Sequence, residues 1–256
     1  MNFTEGWMAA IQAMPTPPST SFHSPPLVRV LAGLGLAEVA PSPQSAAERW
    51  SPWLGWTDAI LLSAALGGTP SARADAAPPD LGALERALAQ DCERVRSDLA
   101  QAIEADAALG GGPPSGTESG TGGGTDAGTG AGSADFRHRY ATHQRAMEAG
   151  IAPLRARARA ALAAASADLG RLAELDAVLD GALASRARQL LSTVPAGLHR
   201  HFRHARQARP HGDGLPEPAP TLQRALLAEL ELRMQPVEGL REALATEARR
   251  HAAGQP

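Results

Sequence analysis

Between Gly110 and Ser133 the chain reads GGGPPSGTESGTGGGTDAGTGAGS, a tract whose Gly, Ser and Thr offer too little apolar area to offset the entropy of ordering their backbone. It cuts a sequence of helix formers in two and leaves the parts free to meet in space. Ala and Leu dominate the 256 residues, aromatic side chains make up 4 %, and β-branched residues are few, so helix propensity prevails outside the loops. The expectation is an all-α fold of long amphipathic helices, packed as antiparallel hairpins or as a coiled coil, with 110–134 a disordered linker.

Four regions follow from composition and periodicity: a flexible N-terminal segment 1–26, an acidic helical region 27–109, the linker, and a long-helix region 135–256. Pro25 and Pro26 open a short apolar helix, Leu27 to Val39, and Ser42 with Pro43 offers the next helix start. The segment 44–66 holds Trp50, Trp53 and Trp56, with Pro52 as a boundary or kink. Asp80 caps a helix whose Leu84, Leu88, Cys92, Val95, Leu99 and Ile103 form one buried stripe. Beyond the linker, a stripe runs through Phe136, Tyr140, Met147, Ile151, Leu154, Ala158, Ala161 and Ala165, a second through Leu172, Leu175, Leu179, Leu183, Leu190 and Val194, and a third from Leu222 through Leu230 to Leu244. Pro153 and Pro236 are expected to bend their helices.

Charge is divided by segment. Residues 1–109 carry −6, the tract −2, residues 135–211 +7 and residues 212–256 −2, so a formal net charge of −3 conceals a basic middle. All 24 cationic side chains are Arg, which excludes Schiff-base lysines and the lysine of a phosphate-binding loop. Cys92, the one cysteine, falls on an apolar stripe and reads as a buried inert thiol. The first residues lack a basic n-region and carry Glu5, and the longest apolar run, Ala59 to Leu66, is too short to span a bilayer. The expectation is a cytoplasmic protein with no membrane span.

Three clusters compete for a functional role. Arg200, Arg203, Arg206 and Arg209 recur every three residues among His199, His201, His204 and His211, a pattern able to follow a phosphate backbone. With Phe202 the one aromatic there, a solvated helix end is the preferred reading. The same histidines lack a third ligand, and neighbouring arginines repel a cation, so no metal is expected. Trp50, Trp53 and Trp56 either anchor a partner or, preferred, form a small core with Leu54, Ile60 and Leu61, and Asp58 reads as a helix cap. Asp91 with Glu93, and Glu229 with Glu231, sit two apart on helices and read as solvated faces. His138 and His143, five apart, read as solvent-facing or packed. No nucleophile, base and orienting group assemble with any specificity, and no cofactor is expected.

Residues 22–31 (FHSPPLVRVL) and 48–60 (ERWSPWLGWTDAI) resemble the N-terminal part of an uncharacterised proteobacterial family, classed as a domain of unknown function. The resemblance resumes with Arg139-Tyr140, 144–148 (QRAME), 153–157 (PLRAR), 190–195 (LLSTVP) and 230–240 (LELRMQPVEGL). It implies no activity and supplies no site residues. Members look often encoded beside cell-envelope proteins, of stator-like inner-membrane and peptidoglycan-binding outer-membrane kinds. The functional expectation is a non-enzymatic helical interaction or scaffold protein with an unidentified protein partner, the cytoplasmic component of an envelope-associated assembly. Homo-oligomerisation is open. The alternative is a nucleic-acid-binding protein using 186–211.

Overall fold

The computed structural model describes residues 25–37, 48, 51–67, 80–106, 127–208 and 218–253, with positions 127–135, 206, 208 and 218 described by backbone alone. Residues 1–24, Ser42, Pro43, Trp50, the part of the tract up to 126, Arg209 and His211 lie outside the described residues, as does the Arg206 side chain. Among the described residues the fold is all-α. Its helices are α1 (Pro26–Gly33), α2 (Trp56–Gly67), α3 (Leu81–Ala105), α4 (Ala127–Ala165), α5 (Ala167–Ser192), α6 (Val194–Ala208) and α7 (Pro218–Ala253), with a 3-10 turn at Ser51–Trp53.

Local chemistry sets most helix ends. Asp80 accepts the Ala83 N–H at 2.9 Å and starts α3, and Ser166 Oγ accepts the Leu169 N–H at 3.3 Å and starts α5. The first helix stops six residues before its expected end because Gly35, at φ +68°, closes a Schellman motif: the Leu36 N–H bonds to Leu31 O at 2.8 Å and the Gly35 N–H to Ala32 O at 2.9 Å. α4 begins earlier than composition suggests, at Ala127, so residues 127–134 of the expected linker are helical. Once the stripe beyond Phe136 is packed, each residue added upstream fixes only its own two dihedrals and gains one hydrogen bond. Pro153 and Pro236 sit inside continuous helices.

The core is built where α3, α4 and α7 meet one another. On α3, Leu88, Cys92 and Ile103 are buried, while α4 contributes Tyr140, Met147, Ile151, Leu154, Ala158 and Leu162. The third stripe is buried throughout, from Leu222 to Leu244. α3 and α4 run antiparallel, since Asp91 pairs with Arg157 at one end and Asp106 lies 2.9 Å from His143 at the other. α3 and α7 are likewise antiparallel, with Arg96 bonded to Glu238 at 2.7 Å and Arg241 to Glu85 at 3.3 Å. The acidic and basic halves therefore meet within one chain.

α5 folds back along α4 after the single residue Ser166. Arg155 and Arg159 each reach both Asp176 and Asp180, at 2.5–2.7 Å. The second stripe is not a buried seam: Leu172 and Leu190 are exposed, Leu175, Leu179 and Leu183 are half-buried, and Ala173 is the residue of α5 buried in the core. Nor does that stripe continue through Val194. Pro195 cannot donate to the Leu191 carbonyl, and the chain breaks at Thr193. That carbonyl accepts a backbone N–H of the helix cap instead, and Gln144 Nε2 joins it at 3.0 Å.

Gln144 belongs to the most deeply buried polar group of the fold. Glu229, fully enclosed, accepts from Tyr140 Oη at 3.0 Å, from Gln144 Nε2 at 3.0 Å and from Arg233 at 2.8 Å. Read from sequence as a solvated carboxylate, Glu229 instead faces the core, while Glu231, two residues on, stays exposed and pairs with Arg96 at 3.2 Å. Burial first, then the adjacent Glu229 carboxylate, hold the Tyr140 hydroxyl well above its ordinary range, so it remains a donor. No buried side-chain polar atom among the described residues is left without a partner.

Glu229→Ala is expected to destabilise by about 3–5 kcal/mol, because it strands Tyr140 Oη and the Arg233 guanidinium, whereas Tyr140→Phe costs about 1–2 kcal/mol. Urea unfolding followed by circular dichroism measures both, and a loss below that of Tyr140→Phe for Glu229→Ala contradicts the assignment. Asp176 gives a pH test. Burial raises its pKa, but hydrogen bonds from Arg155 and Arg159 outweigh that and hold it below 3.8. A depressed folded-state pKa contributes stability that is present above 3.8 and is lost as pH falls through the folded value. Asp176→Asn should lower stability by about 1–2 kcal/mol at pH 7 and converge with the parent in strong acid.

Candidate docking surface

Among the described helices, α2 is the one that contributes no residue to the main core. It packs on α5, and no residue of 51–67 belongs to the main core cluster. The sequence sets this up: WTDAILLSAALG carries one ionisable side chain in twelve residues, so every side of the helix is apolar or small. Gly55 precedes the helix, and its N–H bonds to Asp58 Oδ2 at 2.9 Å. Asp58 thus caps from the first turn rather than from the position before the helix, and its charge is spent on that backbone group.

Leu54, Asp58, Leu62 and Ala65 are the shielded positions, spaced by four, four and three residues, and they define the row laid toward α5. Trp56 is 80 % exposed, Leu66 59 %, Ile60 54 %, Leu61 50 % and Trp53 42 %. The small core expected from Trp53, Trp56, Leu54, Ile60 and Leu61 is therefore not what forms. A helix with hydrophobic residues on all sides can bury one side against a single neighbour, and α5 is that neighbour. Trp53 keeps a partial anchor, with the Arg186 guanidinium carbon 5.8 Å from its ring centroid, worth about 0.5–1 kcal/mol at an exposed site.

The other sequence candidates fall elsewhere. Arg200 and Arg203 are exposed on α6, have no ion-pair partner among the described residues, and lie on the side opposite buried Leu198. His199 stacks edge-on against Phe136 at 6.3 Å, and His201 against Phe202 at 5.6 Å, so these rings serve α6 packing. His143 is packed against Asp106, while His138 is exposed. No three His, Cys, Asp or Glu side chains come together as a metal site among the described residues. Cys92 is buried, and burial, then the nearby Glu238, push its thiol pKa up. A shallow groove of about 610 Å³ between α1 and α7 is lined by Arg29, Val30, Leu34, Arg224 and Leu227, with Glu231 at its edge held by Arg96. No helix among the described residues is long and apolar enough to cross a membrane.

Sequence reasoning located the tryptophans and misjudged their exposure. The available signal was the lack of periodicity: a helix apolar on every side, in a chain whose other helices have narrow stripes, has more apolar surface than one neighbour can cover.

A family model described as "Protein of unknown function (DUF3348)" matches residues 13–246, a span that includes α2 and most of α7. No curated protein and no solved structure matches the chain.

The two sides of α2 are expected to respond differently to substitution. Trp56→Ser should change unfolding stability by no more than about 0.5 kcal/mol, whereas Ala65→Asp, on the row facing α5, should cost about 2 kcal/mol or more. Equal losses at both positions, measured by urea unfolding, would contradict this orientation.

Proposed function

We propose, for a chain that belongs to the family of proteins of unknown function (DUF3348), that it is a non-enzymatic helical interaction protein that receives a protein partner on α2. The observation that carries this reading is the 80 % exposure of Trp56 on a helix whose Ile60, Leu61 and Leu66 are exposed as well. Contiguous apolar surface on a folded monomer marks interaction sites, and tryptophan is the residue most enriched at their energetic centres. The bundle of α3, α4 and α7 serves as a rigid frame, with α5 presenting α2 at its outer side. A place in an envelope-associated assembly fits such a module.

A benzophenone side chain in place of Leu66, introduced in the protein's own host and photoactivated, tests the reading. A discrete adduct is expected from that position and none from the same group in place of Glu93, an exposed side chain of α3. Absence of any adduct from α2 overturns it.

A second reading rests on Arg200 and Arg203, exposed and without an ion-pair partner among the described residues, while Arg155 and Arg159 of α4 are paired with Asp176 and Asp180. If α6 follows a nucleic-acid backbone, Arg200→Gln with Arg203→Gln should lower the slope of log affinity against log salt by about 2 and weaken binding to all sequences alike. Titration of labelled duplex and single strands at two salt concentrations decides it, and binding indifferent to salt removes this reading.

A further inference from the structure

The exposed side of α2 carries two adjoining rows of unequal height. Gly55, Ala59, Ser63 and Gly67 are all exposed and recur every four residues, which places them in one slowly winding row. Next to this low row, at 100° per residue, stand Trp56 and Ile60, and Leu66 borders it on the other flank. Helix surfaces pack when the ridge of one enters the groove of the other. Two copies of this helix related by a two-fold axis present ridge to groove and groove to ridge at once, so a second copy meets the shape requirement without rearrangement.

Charge points the same way. Asp58 is the one ionisable group of α2, and it lies on the row toward α5 with Oδ2 bonded to the Gly55 N–H. The outer side is thus uncharged. Self-pairing sets no like charges against each other, which most surface patches of a charged protein do when laid on their own copy. The nearest charge is the exposed Arg186, whose guanidinium carbon lies 5.8 Å from the Trp53 ring centroid at the edge of this surface.

The area is adequate. At their exposures, Trp53, Trp56, Ile60, Leu66 and the small residues between them offer on the order of 500 Å² per copy, or about 1,000 Å² for a pair. That reaches the lower bound for a specific interface and suits a dimer of micromolar strength.

We propose that the partner received by α2 is a second copy of this chain, forming a two-fold homodimer in which Trp56 and Ile60 of each copy lie over Ala59 and Ser63 of the other. This rests on α2 being a docking surface and names its occupant. Sedimentation equilibrium of the full chain between about 1 and 100 µM spans the range in which such a dimer dissociates. The mean mass is expected to rise from 26.5 kDa toward twice that value, and Ile60→Asp should weaken association by about 100-fold with circular dichroism unchanged.

Should Ile60→Asp fail to fold, Ser63→Cys supplies an independent test, because the native Cys92 is buried and the new thiol is the accessible one. Oxidised at dimer-forming concentration, Ser63→Cys should give a disulfide-linked pair, and Glu93→Cys should not. A mass of 26.5 kDa at every concentration with no linked pair overturns the homodimer, as does a dimer indifferent to Ile60→Asp. In that case a benzophenone adduct from Leu66 to a different protein leaves the docking reading standing, and no adduct removes both.

Discussion

A single enclosed carboxylate organises this fold. Glu229 sits on the buried side of α7, where an unpaired charge would cost several kcal/mol, and it is tolerated because three donors from two helices converge on it. Tyr140 and Gln144, one turn apart on α4, can both reach it at one axial offset of α4 against α7. A slip of either helix by a residue breaks the bonds from Tyr140 and Gln144 and leaves the enclosed carboxylate with Arg233 alone. Apolar stripes of Leu and Ala tolerate sliding, since one methyl surface resembles the next. The polar group supplies the register that they lack.

The same group extends to the third layer. Pro195 ends α5 by leaving the Leu191 carbonyl without its usual donor, and Gln144 uses one amide to satisfy both that carbonyl and Glu229. The C-terminal end of α5 is thereby tied to the α4–α7 register. Further along, Arg155 and Arg159 close on Asp176 and Asp180, fixing the middle of α5 to α4. These contacts pair two of the thirteen arginines that the sequence concentrates between 135 and 211. Arg200 and Arg203 stay exposed on α6, and the fixed α5 carries α2.

The parts legible in the sequence were those governed by local or periodic rules. The stripes of α3, α4 and α7, the Asp80 cap and the buried Cys92 all follow from spacing alone, and the structure buries or caps them as the spacing requires. Glu229 was not legible as a core residue because its partner Tyr140 lies 89 positions away. One signal was present: the only tyrosine falls on an apolar stripe, and a buried hydroxyl demands a polar partner. The early start of α4 escaped because Gly- and Ser-rich composition describes isolated segments, while helix ends depend on the packed helix they extend. Exposure of Trp53 and Trp56 escaped because hydrophobicity fixes what a residue favours, and the number of neighbours able to cover it is a tertiary fact.

That last point bears on whether α2 is a surface by necessity or by use. A chain short of large side chains would be expected to place them in its core. Here Leu, Ala and Met fill the interior around one tyrosine, and the two described tryptophans lie outside it. The core does not need them, since its helices approach closely through small residues. Nor does α2 need them to stay attached, because Leu54, Leu62 and Ala65 already face α5. Trp56, at 80 % exposure, contributes almost nothing to the stability of the isolated chain. Its apolar area is of value only when something covers it, and a helix without exposed charge next to a row of small residues restricts what that covering surface can be.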